Sequence, residues 1–136
     1  MIVVDTNLLA HLYVNGEHSE SAAQVLMKDP DWSAPLLWRS EFRNTLVKCA
    51  RARLIEWSDA FRIMAEAESL MSGGEYAILS GNVLSLAASS ACSAYDVEFV
   101  ALAREMGILL VTTDRRLLES FPETAVTPER YLSPTS

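Results

Sequence analysis

An α/β fold with a mostly parallel central sheet is what this sequence predicts, on three observations. Two uninterrupted apolar runs, Ile2-Val3-Val4 and Ile108-Leu109-Leu110-Val111, read as strands buried on both faces, as strands of a parallel sheet are. Between them, helically spaced segments alternate with short strand-like pieces, the pattern that parallel crossovers require. Each apolar run breaks off into a hydroxyl-plus-aspartate cluster, Asp5-Thr6-Asn7 in one case and Thr112-Thr113-Asp114 in the other. Open α/β sheets hold their ligands outside the carboxyl ends of the strands, so these clusters are the first places to look for chemistry.

Taken in order, the first strand passes into a helix carrying Leu8, Leu9, Leu12 and Tyr13 at helical spacing, stopped by Asn15-Gly16. A second short helix runs from about Ser19 to a stop before Pro30, and Trp32-Ser33-Ala34 reads as a brief strand. Pro35 is expected to open the next helix, whose apolar stripe is Trp38, Phe42, Leu46 and Cys49. Ser58 is the expected N-cap of its successor, with Phe61, Met64, Ala67 and Met71 on one face, and Gly73-Gly74 closes this helical hairpin. Residues 76–79 suit a short strand and 80–91 a helix rich in small residues. Tyr95, Phe99, Leu102, Ala103 and Met106 form the stripe of the helix that ends at Gly107, directly before the late strand. Asp114 then precedes a helix starting at Arg115. Beyond Pro122 the chain is expected to be peripheral, giving a single domain with a core of about residues 1–122 and a tail of about 123–136.

Composition narrows the function classes. A chain of 136 residues, half of them hydrophobic, is long enough for one domain that buries a real core. No basic leader opens it and no apolar stretch approaches the ~18 residues of a membrane span, so a soluble, cytoplasmic protein is expected. Cys49 and Cys92 are isolated and read as buried, reduced thiols. A net charge of −7 disfavours broad affinity for a phosphate backbone, although cations held among the acids would reverse the local field. Arginines outnumber lysines nine to two, which favours planar, bidentate phosphate contacts. Arg39, Arg43, Arg51 and Arg53 share one stretch and Arg115-Arg116 follow the late strand; solvated helix faces account for them equally well.

Two further acids matter. Glu41 lies three residues after Trp38 and therefore borders the buried stripe, with Asn44 on its side of the helix; Asp96 lies in the first turn of its helix, three residues after Ser93. Four carboxylates gathered in one cleft repel one another unless cations sit between them. Oxygen ligands suit Mg²⁺ or Mn²⁺, whereas zinc favours His and Cys. Each acid also has a structural reading. Asp114 suits a helix cap, Ser93 and Asp96 a capping arrangement, and Glu41 a helix surface, while Asp5 directly after a buried run is hardest to explain that way. His11 and His18 read as surface or half-buried residues.

Together, Asp5-Thr6-Asn7, Glu41 within Ser40-Glu41-Phe42-Arg43-Asn44, Asp96 within Ser93-Ala94-Tyr95-Asp96, and Thr112-Thr113-Asp114 resemble PIN-domain ribonucleases over about residues 1–122. The chain's length and layout resemble the toxin subunit of a VapBC-type toxin and antitoxin pair. The resemblance implies a three-layer α/β/α sandwich and an Mg²⁺ or Mn²⁺ site built by Asp5, Glu41, Asp96 and Asp114. It also implies an RNA substrate, a homodimer and a cognate antitoxin. Asn7, Asn44, Ser93 and Thr112 then serve to orient ligands, water or substrate. Arg116 stands where some relatives carry a further acid, which puts a second metal in question. The expected reaction is metal-assisted phosphodiester hydrolysis leaving 5′-phosphate and 3′-hydroxyl ends. A haloacid-dehalogenase-type phosphatase needs a second acid where Asn7 stands, and a receiver domain needs a late strand-end lysine that is lacking here. The main rival is a catalytically silent module of the same fold that binds RNA or protein.

Overall fold

In the computed structural model, which describes residues 1–134, five strands form one sheet: β1 (Ile2–Val4), β2 (Trp32–Pro35), β3 (Glu75–Tyr76), β4 (Leu110–Val111) and β5 (Ala125–Val126). Their order is β3-β2-β1-β4-β5 and every neighbouring pair is parallel. The helices α1 (Thr6–Tyr13), α2 (Ser19–Lys28), α3 (Trp38–Arg51), α4 (Trp57–Leu70), α5 (Ser80–Ala88), α6 (Ala94–Met106), α7 (Arg115–Ser120) and α8 (Pro128–Leu132) flank the sheet in a three-layer α/β/α arrangement. From β1 the chain moves to β2 and β3 on one side, then returns to add β4 and β5 on the other. The order therefore reverses between β1 and β4, and the crevice of such a sheet opens at their carboxyl ends.

The sequence accounts for the central strands. Ile2, Val3 and Val4 are all buried, with Val3 level with both Ser33 of β2 and Leu110 of β4. Trp38 and Phe42 from α3 and Leu8 and Leu9 from α1 fill the layer beside them, each fully buried. Gly74 must be glycine for a steric reason, since a Cβ there would meet the Trp32 carbonyl oxygen at 2.2 Å. At Gly107, a φ of 68° ends α6 in the left-handed conformation that glycine adopts without strain.

Several expectations need correction. Pro35 does not open α3; it ends β2, opposite Tyr76. Extending the Ile2–Trp32 register brings Pro35 level with Asp5, where β1 has already ended, so its missing N–H costs no ladder bond. Glu56, not Ser58, caps α4, in a reciprocal capping box with Asp59. The buried face of α4 is consequently Ala60, Ile63, Ala67 and its cap Met71, while Phe61 is 76% exposed. Residues 77–79 lie outside β3, Tyr95 is exposed, and Leu109 precedes β4 and is also exposed. Cys92 is buried and Cys49 half-buried, both free thiols.

The segment after Pro122 is not peripheral. β5 extends the sheet beside β4, with Leu110 level with Ala125, and Thr124 and Ala125 are buried. α8, capped by the Thr127 hydroxyl, packs on α2, where the Lys28 ammonium lies 4.2 Å from the Tyr131 ring centre. A strand of two residues has no alternation to read in sequence. Residues 135–136 of the expected tail lie outside the described residues. Among the described residues no helix is long and apolar enough to cross a membrane.

Candidate active site

Asp5 follows β1 in extended conformation and caps α1, its Oδ1 accepting the Leu8 N–H at 3.0 Å. Its Oδ2 accepts the hydroxyl of Thr112, the residue after β4. Thr112 Oγ1 also accepts the Asp114 N–H at 2.9 Å, and Asp114 Oδ1 caps α7 through the Leu117 N–H at 3.0 Å. The capping expectation for Asp114 thus holds, but a cap bond engages only one of two carboxylate oxygens and leaves a role in the cleft open. From α3, half-buried Glu41 accepts the Thr6 hydroxyl at 2.8 Å on Oε1. From α6, Asp96 donates its N–H to the Ser93 hydroxyl, the N-cap of that helix, at 3.1 Å.

Asp5, Glu41, Asp96 and Asp114 line one cleft of about 220 Å³, with Asn7 and Asn44 on its wall and Phe99 and Leu117 supplying apolar lining. Ser93 and Thr112 do not line it; Ser93 is exposed at the head of α6, and Thr112 is fully buried against Asp5. Thr6, from the cluster after β1, and Thr45, which no sequence motif marks, line it too. Thr6 had a readable signal, a hydroxyl beside the strand-end aspartate. Glu98 on α6 adds its charge to the neighbourhood of Glu41 and shared the helix of Asp96, which was the only hint of it.

The electrostatics are those of crowded, desolvated acids. Burial pushes Asp5 up to about 7, against the hydrogen bonds from Thr112 and Leu8, and repulsion from Asp114 and Glu41 adds to the rise. Burial also raises Glu41, with the Thr6 hydroxyl opposing and Asp96 and Glu98 reinforcing. Asp96 is raised by burial and then by Asp114, while Ser93 and Arg116 pull the other way.

Among the described residues no three His, Cys, Asp or Glu side chains converge as a ready-made metal cage. The donor set nevertheless fits a hard divalent cation. It is all oxygen, it repels itself, and Mg²⁺ commonly takes only one or two carboxylates and keeps several waters. The arginines divide. Arg39 is committed to Glu68 and Glu75, and Arg53 lies in the turn after α3 with a φ of 61°. Arg115 and Arg116 line an adjoining cleft of about 490 Å³ shared with Asp96 and Asp114.

Fold and cleft together define a class: a three-layer α/β/α protein with an acid-lined cleft where the order of its parallel sheet reverses. Within that class, the chain belongs to the PIN domain family, whose model matches residues 2–123. Ribonuclease VapC3 of Pyrobaculum aerophilum is 33% identical to it over 130 residues, which is 93% of this chain and 98% of that relative. A crystal structure from Pyrobaculum aerophilum superposes with a TM-score of 0.75 at 26% identity, covering 96% of this chain and 92% of the other. A chain of a toxin-antitoxin complex from Klebsiella pneumoniae shares the fold, with a TM-score of 0.71 at 20% identity over 94% of this chain and 98% of that one.

Proposed function

We propose that this chain is a divalent-metal-dependent endoribonuclease and the toxin of a toxin–antitoxin pair. One observation carries the reading. Carboxylates from β1's end, α3, α6 and β4's end line a single cleft, three of them raised by burial and by one another. RNA as the substrate rests on the relative named as a ribonuclease. The antitoxin partner rests on a shared fold with a chain of a toxin-antitoxin complex. A homodimer in the cytoplasm belongs to the same proposal, and the free thiols Cys49 and Cys92 suit that compartment.

In this reading Asp5, Glu41, Asp96 and Asp114 hold Mg²⁺ or Mn²⁺. Such a cation, when bound, supplies a water of lowered pKa and neutralises charge on the phosphate. The remaining work is done by the chain. Thr112 and the Leu8 amide fix both oxygens of Asp5, and Thr6 fixes Glu41, so the ligands are in place before a substrate arrives. Asn7 and Asn44, both exposed, offer amide donors to the non-bridging phosphate oxygens. Ser93 sets the first turn of α6 and with it Asp96. The apolar lining from Phe99 and Leu117 lowers the local dielectric around the charges.

No side-chain nucleophile is required, so cleavage is expected to leave 5′-phosphate and 3′-hydroxyl ends. The deciding experiment is cleavage of single-stranded RNA with and without Mg²⁺ or Mn²⁺, with analysis of the product ends. Ends bearing 2′,3′-cyclic phosphate, or turnover unaffected by chelator, contradict the proposal. Tight RNA binding without turnover favours the silent binding module.

A further inference from the structure

One helix grips the turn between β4 and α7 at two points. At the head of α1, Asp5 accepts the hydroxyl of Thr112; in its last turn, His11 Nε2 lies 3.0 Å from Thr113 Oγ1. The two held residues are adjacent in the turn, while their holders are six positions apart on α1, about 9 Å along the axis at 1.5 Å per residue. Asp114 follows directly. Thr112 is further fixed by donating its N–H to the Val126 carbonyl at 3.0 Å, so the His11 contact bears on Thr113, the residue that links this fixed point to Asp114.

His11 is itself held in place. Its ring is half-buried and its centroid lies 4.7 Å from that of His18, whose Nε2 is 3.3 Å from Glu17. Burial, and then His18, favour the neutral ring, while Glu17 and Glu129 oppose. An uncharged imidazole at this position bonds a hydroxyl without adding a charge to the acids nearby. His11 does not line the cleft, so any role in the reaction is indirect.

We propose that His11 is a positioning residue for the acid centre: through Thr113 it fixes the β4–α7 turn and hence the placement of Asp114 relative to Asp5. The proposal rests on the metal-nuclease reading of that centre. It predicts that loss of the distal anchor loosens cation binding without touching an RNA-binding group.

The test uses the whole chain and the variants His11→Ala, Thr113→Val, the double variant and His11→Gln. Three quantities are measured: the Mn²⁺ concentration giving half of the thermal stabilisation, and kcat and KM for RNA cleavage. His11→Ala and Thr113→Val are each expected to raise the Mn²⁺ midpoint by up to about 10-fold, less than loss of a direct partner of a ligand costs because Thr113 acts through the backbone, and to lower kcat with KM for RNA unchanged. The double variant is expected to be no worse than either single one, because both remove the same bond. His11→Gln, which returns a side-chain amide within reach of the Thr113 hydroxyl, restores most of the midpoint. Variants that lose melting temperature but keep the wild-type Mn²⁺ midpoint and kcat overturn the positioning role alone. A wild-type chain with neither Mn²⁺ stabilisation nor cleavage overturns the nuclease reading, and this proposal with it.

Discussion

Two groups of acids in this chain are handled in opposite ways. At the corner of α3, α4 and β3, Glu75 accepts hydrogen bonds from Trp38 Nε1 at 2.9 Å and from Arg39 Nε and Nη2 at 2.6 and 2.8 Å, and Arg39 also pairs with Glu68. The Arg39 guanidinium holds the Glu75 carboxyl below its ordinary range. Two positions further along α3, Glu41 accepts the Thr6 hydroxyl, and burial lifts it above that range. Asp5 and Asp96 share its condition, with Arg116 the one cation that leans on Asp96. Both groups bring carboxylates together, but only the first is hydrogen-bonded to its counter-charge. The acid cluster supplied with arginine ties elements together; on the proposed reading, the one supplied with hydroxyls and amides is organised around a cation that comes from elsewhere.

Substitutions test this contrast. The largest effect is expected for Asp5→Asn, which keeps a capping oxygen for Leu8 but removes a charge from the centre. RNA cleavage should fall more than about 100-fold, beyond what loss of an outer-shell partner costs, and Mn²⁺ should cease to raise the melting temperature. Cleavage at the wild-type rate would erase the distinction between the two groups. Thr112→Val comes next. It strips the hydrogen bond from Asp5 and leaves the Asp114 N–H without its acceptor, so metal titration should show a midpoint weakened by about 10- to 100-fold.

In the other group, Glu75→Ala orphans the Nε1 of fully buried Trp38 and should destabilise the protein by about 1–3 kcal/mol in denaturant titration. Activity per folded molecule should be unaffected. A further effect is a slope with pH. Asp5 keeps its proton to about 7 when folded but only to 3.8 when unfolded, so its contribution to stability is complete below the lower value and is lost as pH rises through the higher one. In metal-free buffer the melting temperature of wild type, measured relative to Asp5→Asn, should decline across that window, and Mn²⁺ should reverse the decline near neutrality. A flat difference curve would put Asp5 outside the crowded group.

Much of this was readable in sequence because it depends on local pattern. Ile2-Val3-Val4 before Asp5 is a buried parallel strand with a cleft at its end, and Thr112-Thr113-Asp114 after the late strand is its counterpart. Glu41 and Asp96 were legible through their positions beside buried stripes. What sequence hid depends on partners distant in the chain. Pro35 looks like a helix opener until the end of β1 beside it is known. β5 is two residues that gain strand character only from pairing with β4. Ser58 outranks Glu56 as a cap by propensity, yet the reciprocal bond with Asp59 selects Glu56. The commitment of Arg39 to Glu75 spans 36 positions, and nothing near Arg39 in sequence announces it.

The strand order carries one more consequence. β1, the middle strand of the sheet, is made before its neighbour β4, and Asp5 waits for Thr112 across 107 positions. During synthesis the growing chain already carries Asp5, Glu41 and Asp96 while lacking the residues that complete their cleft. At about 5–20 residues per second the nascent polypeptide spends about 1–4 seconds in that state. On the proposed reading, the centre stays incomplete, and the protein harmless to the RNA around its own ribosome, until the β4–α7 turn has been made.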